Sequence, residues 1–128
     1  MKPSLLLFIV IMLLSCTQRF YSDNGENIYR TGKNIQGERL LDKSGSRIKI
    51  VRNCKTCHGK SGDRMNNVSI RFRDLADPGK MKVPYTDSLF YRFLDDDLKS
   101  DGTKADIGVI WKINRKDKQD LLNYLKSL

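Results

Sequence analysis

The chain has 128 residues, 30% of them charged, with 24 lysines and arginines against 15 aspartates and glutamates and a net charge of +9. That length suits one small domain with a modest core. A single histidine, His58, excludes any site that needs two imidazoles.

Met1-Lys2 supplies a positive charge, and Leu5 to Leu14 is an almost unbroken apolar run. Such a run is too short to cross a bilayer as a resident helix and suits a signal peptide. It ends in Leu13-Leu14-Ser15-Cys16, which resembles a bacterial lipobox with the lipid-bearing cysteine last. Ordinary secretion with a free Cys16 is the alternative. Lipidation is favoured because a lone exposed thiol is a liability in an oxidising compartment. The expected organisation is a signal peptide over 1–15, a lipidated Cys16 with its tether over 16–23, and one domain over 24–128.

Export changes the meaning of the charge. A lipoprotein facing the periplasm from its membrane would not meet chromosomal DNA, so no nucleic-acid partner is expected. A basic face would steer the domain toward an acidic partner or an anionic membrane, or would simply keep it soluble.

Asn24 to Gly32 predicts a short helix stopped by the glycine. Lys33 to Ser46 has repeated polar and glycine breaks and reads as a loop. Arg47 to Val51 could be a strand or a lead-in to the segment after it. Tyr85 to Leu94 predicts a helix with Leu89, Phe90, Phe93 and Leu94 on one face and Thr86 as its cap. The last helix starts at a cap on Asn114, has Asp117 in its first turn, and turns Leu121, Tyr124, Leu125 and Leu128 inward. No repeat and no convincing alternating strand is visible.

Cys54-Lys55-Thr56-Cys57-His58 is the segment that carries chemistry. Two thiols at this spacing can each add to one vinyl group of a haem, and the histidine after them can ligate the iron. Other uses of two cysteines fit less well. Thiol–disulfide chemistry uses a strand–helix–strand setting that the pattern lacks. A zinc site needs four ligands, and a nucleophilic cysteine needs a histidine from elsewhere. One covalent haem c is the expected cofactor, with Cys54 and Cys57 as thioethers and His58 as the proximal ligand to the metal.

The chain resembles the class I c-type cytochromes from about Asn24 to its end. Gly25 and Tyr29 are similar to the glycine and aromatic of that family's N-terminal helix, and Leu121 and Tyr124 to their partners on its C-terminal helix. Gly59, the stretch Pro84 to Phe90, Asp101-Gly102 and the ending Leu121 to Leu128 also follow bacterial members. The resemblance implies an all-α, small cytochrome c fold, with crossing N- and C-terminal helices and loops that wrap the haem. The loop from Lys33 to Asn53 is longer than in the smallest members.

The departure from the family lies on the distal side. Most members present a methionine before the last helix, whereas here the stretch reads Asp106-Ile107-Gly108-Val109-Ile110-Trp111-Lys112-Ile113. Trp111 fits the aromatic position and is expected as a wall of the haem pocket, beside Val109 and Ile110. Met81, 23 residues past His58, is a candidate distal ligand, whereas Met65 should stay on the proximal side. Lys80, Lys82, Lys104 and Lys112 are further candidates, each better explained as surface charge. An open sixth position ranks first. Without thioether ligation the potential should fall, and without a distal histidine peroxidase chemistry is not expected.

Two functions follow as expectations. The first is a membrane-anchored electron carrier, not an enzyme, that meets a redox partner with an acidic docking surface. The second is a five-coordinate module binding a small gas ligand. A structural haem subunit of a respiratory complex is a more distant third.

Overall fold

The computed structural model describes residues 21–65 and 68–128. The expected signal peptide over 1–15 and the lipid-bearing Cys16 lie outside these residues. Helices form at α1 (Asn24–Thr31), α2 (Cys54–His58), α3 (Phe72–Leu75), α4 (Asp87–Asp96) and α5 (Arg115–Ser127). None of the described helices is long and apolar enough to cross a membrane.

The three longer helices start where a short polar side chain can accept an orphan backbone N–H. Asp23 Oδ1 accepts from Glu26 N at 2.7 Å, Thr86 Oγ1 from Leu89 N at 3.3 Å, and Asn114 Oδ1 from Asp117 N at 2.8 Å. Thr86 and Asn114 are the caps that the sequence predicts.

The expected all-α cytochrome c fold is corrected. Only 38% of the described residues are helical, in five helices, and most of the described chain is loop. No strand forms among the described residues; four isolated bridges are the only β pairing there. The physical reason lies in the loops' own side chains, which offer the backbone alternatives to helix. Asp42 Oδ1 accepts from the amides of Ser44 and Gly45, Asn34 Oδ1 from Glu38 N, and Asp97 Oδ2 from Asp106 N. Arg47 to Val51, left open between strand and lead-in, forms no strand.

The core is built on α1 against α5. A Cβ on Gly25 would sit 2.0 Å from the Asp120 carbonyl oxygen and 2.9 Å from Tyr124 Cβ, so only a residue without one allows this approach. Tyr29 and Tyr124 follow, with ring centroids 5.3 Å apart. Ile28, Leu121, Leu122 and Leu125 are fully buried around them. Phe90 and Leu94 of α4 complete the centre. Leu122 falls outside the predicted face. It is buried because α5 packs against α3 and α4 as well as α1, which widens its covered arc.

A polar lock ties the loop after α1 to this pair. Asn34 Nδ2 donates to Asp117 Oδ2 at 3.2 Å, and Asn24 Nδ2 donates to Asp117 and Asp120 at 2.8 and 2.7 Å. Asn34 and Asp117 are both buried, so these bonds satisfy groups that would otherwise be costly inside the fold.

Candidate functional site

Cys54, Cys57 and His58 lie together on α2, a single turn of helix. Its start is fixed by Asn53, whose Oδ1 accepts from both the amide and the hydroxyl of Thr56 at 2.9 Å. Its end is fixed at Gly59, where φ is +73° and a Cβ would meet Arg64 Cβ at 2.8 Å. The Tyr29 hydroxyl donates to the Gly59 carbonyl at 2.6 Å. The residue directly after His58 is therefore fastened to the α1–α5 core. Burial raises the Tyr29 pKa, which keeps the phenol protonated as the donor.

Both cysteines are free thiols and half-buried, and Cys54 packs against the hydrophobic core. Burial pushes the Cys54 thiol up to about 12, so it stays protonated at neutral pH. A disulfide oxidoreductase or a cysteine nucleophile needs a thiolate, and this environment opposes one. Burial pushes the His58 imidazole pKa down, which favours the neutral form that offers a lone pair to a metal. His58 Nδ1 is buried without a hydrogen-bond partner among the described residues. A buried orphan of this kind is uncommon, and it marks His58 as a group whose environment is not explained by folding alone.

These residues fit a covalent haem. They provide two uncommitted thiols, a neutral imidazole with unused hydrogen-bonding capacity, and a backbone held at both ends of the turn. No group of three or more His, Cys, Asp or Glu that could hold a bare metal ion occurs among the described residues.

The distal candidates are scattered. Met81 is half-buried against the same core as Cys54, in a turn closed by its amide on the Asp77 carbonyl at 2.9 Å. Met65 is exposed. Three of the four candidate lysines are engaged: Lys80 with Asp74 at 2.5 Å, Lys112 with Asp42 at 3.0 Å, and Lys104 with the Asp96 carbonyl at 2.8 Å. Lys82 is exposed.

Val109, Ile110 and Trp111 do not form one wall. Trp111 packs against the core, while Val109 and Ile110 line an open cleft of about 330 Å³ beside Arg47, Asp96, Asp97 and Asp106. The cause is a clasp that sequence reasoning missed. Asp42 N donates to Ile110 O at 2.9 Å, Lys112 N to Leu40 O at 2.7 Å, and Ile48 N to Gly108 O at 3.0 Å. Ser46 Oγ also accepts from Ile110 N at 2.9 Å. The long loop after α1 thus holds the very stretch in which the expected methionine is missing. The polar run Asp42 to Arg47 reads only as loop and does not name its partner.

No family model matches the chain, and no curated protein or solved structure is similar to it.

Proposed function

We propose that this chain is an exported, lipid-anchored c-type cytochrome that carries one covalent haem and transfers electrons without making or breaking a substrate bond. The reading rests on the attachment turn and not on the fold. Its main support is the combination on α2 of two free thiols with a histidine whose buried nitrogen has no partner.

Cys54 and Cys57 would hold the haem, each adding its S–H across one vinyl double bond, and His58 would take the iron from one side. The bound iron supplies one-electron exchange between ferric and ferrous states. The protein's part is to fix the imidazole. Asn53 sets the start of the turn and Tyr29, through Gly59, sets its end. Burial around His58 lowers the imidazole pKa and so favours the neutral form that can act as a ligand.

A second reading, a five-coordinate module that binds a small gas ligand, is favoured by one observation. The stretch 106–113 has no methionine, and its place is taken up by the clasp with residues 40–48. In that case Val109 and Ile110, on the cleft, supply no proton donor for breaking an O–O bond.

One experiment tests both. Absorption spectra of the purified protein, oxidised and reduced, with and without carbon monoxide, should show a reversible haem. Slow or absent carbon monoxide binding supports the carrier, and rapid uptake supports the gas-binding module. Cys54→Ser/Cys57→Ser should leave no haem on the denatured chain; a persisting haem-stained band would sink covalent attachment.

A further inference from the structure

We propose that the loop 43–52 is a second membrane contact, seating on an anionic lipid surface through Ile48 and Ile50. The proposal rests on the reading that Cys16 anchors the chain to a membrane. Ile50 is 82% exposed and Ile48 42% exposed, although isoleucine is among the residues most often buried. Ile110, 47% exposed, belongs to the same patch: it lies against Gly45, while Ile48 lies over Gly108 across the clasp. Ile48 and Ile110 thus flank the clasp, and with Ile50, two residues on from Ile48, they make the apolar tip of the loop.

Cations flank the tip along the chain. From Lys43 to Gly62 the sequence holds Lys43, Arg47, Lys49, Arg52, Lys55 and Lys60 and no acidic residue. Among the four within the loop, only Arg47 has a carboxylate partner, Asp106, in the described structure. Lys49 Nζ donates to the carbonyls of Lys43 and Ser44, so its charge is held at the loop but not neutralised. Of the acids of the neighbouring cleft, Asp95 pairs with Lys118 at 2.6 Å and Asp106 with Arg47, while the carboxylates of Asp96 and Asp97 have no cation partner in the described structure. The attraction to anionic lipid therefore falls to Lys43, Lys49 and Arg52. An apolar tip with uncompensated cations suits lipid headgroups, where apolar burial and attraction to anionic lipid add.

The Cys16 reading favours a membrane over an acidic protein, because a chain already tethered to lipid holds its basic loop at a high local concentration of headgroups.

The full exported chain, bound to vesicles, tests this by trypsin cleavage at Lys43, Arg47, Lys49 and Arg52, with Lys99 as the internal reference. On phosphatidylcholine vesicles containing phosphatidylglycerol, loop cleavage should slow about five-fold relative to Lys99, and this ratio should not change on phosphatidylcholine alone. Ile48→Ser/Ile50→Ser keeps every cleavage site and should abolish the protection. Equal ratios on both vesicles would overturn the proposal. So would protection produced by an acidic protein and by no vesicle. Flotation with the neutral vesicles reports the Cys16 anchor separately, so failure of the anchor and failure of the loop contact are told apart.

Discussion

The Tyr29 hydroxyl donates to the Gly59 carbonyl at 2.6 Å, joining the middle of α1 to the residue that follows His58. One side chain of the core thus fastens the end of the attachment turn. Tyr29→Phe keeps the ring packing on Tyr124 and removes only this bond. It should cost about 1 kcal/mol of stability. In a domain of this size that lowers the thermal midpoint by roughly 4–8 °C. An unchanged midpoint in a thermal melt would show that the bond holds nothing in place.

Gly25→Ala tests the closest approach in the core. The added Cβ would lie 2.0 Å from the Asp120 carbonyl oxygen, which is backbone and has no rotamer to yield. The helices must part, and the Tyr29–Tyr124 contact beyond them loosens. Denaturant unfolding should show a loss of about 3 kcal/mol, the upper end for overpacking. A loss below about 0.5 kcal/mol, the scale of an ordinary surface change, would mean that the two helices are not held this close.

These two residues also show what the sequence makes legible. Periodicity places Leu121 and Tyr124 on the inner face of the last helix, but that Gly25 and Tyr29 meet them is foreseen only through the resemblance to c-type cytochromes. Thr86 and Asn114 can be placed as caps because capping is a local act between a side chain and an amide three residues on. The α2 and α3 helices, Cys54–His58 and Phe72–Leu75, were not foreseen, since one turn is too short for periodicity to register. The clasp between 40–48 and 108–112 was not foreseen either, because its partners are sixty or more residues apart and follow no fixed period. The thiols and imidazole of the candidate site are legible from type and spacing alone. Its distal side is not, because that depends on where long-range contacts send the chain. The expected all-α fold failed for the same reason: polar side chains such as Asp42 and Asn34 satisfy loop backbone that helix would otherwise have claimed.

Ser46→Ala probes the clasp. The buried Ser46 hydroxyl donates to the Asp42 carbonyl at 2.5 Å and accepts from Ile110 N at 2.9 Å. Alanine leaves the Ile110 amide unpaired, while the Asp42 carbonyl keeps its bond from the residue 46 amide at 3.0 Å, so the cost is about 1–3 kcal/mol for one orphaned donor. Amide hydrogen exchange at Ile110 should speed up, with the amides of α5 unaffected beyond the global change. Unaltered exchange at Ile110 would show that Ser46 does not hold that strand of the clasp.

Asp74 gives stability a dependence on acid. Lys80, Ser69 and Arg71 all donate to its carboxylate, and these bonds, led by the one from Lys80, hold its pKa well below the ordinary 3.8. A carboxylate depressed in the folded state stabilises fully above its unfolded pKa and loses that contribution as pH falls through the folded value. Asp42, lowered chiefly by Ser44 and Lys112, acts in the same sense. The contribution of these two carboxylates should therefore be flat from neutral pH down to about pH 4 and fall below it, on top of the separate loss from His58, whose lowered imidazole pKa costs stability as pH falls below the ordinary 6.5. Asp74→Asn should shallow that fall, and an identical acid limb in the variant would remove Asp74 from the account.

Met81→Ala separates packing from ligation. The side chain is half-buried against the core, so truncation should cost less than the roughly 2–5 kcal/mol of a fully buried methionine, about half of it. If the sixth position is open, as the missing methionine in 106–113 favours, the oxidised and reduced haem spectra should match those of the unaltered protein. A thioether raises the potential of the iron it binds. A spectrum that shifts on truncation, together with a lower potential, would therefore assign the sixth position to Met81 and return the chain to the ordinary six-coordinate carriers. Stability and spectrum are read on the same sample, so a packing defect cannot pass for a lost ligand.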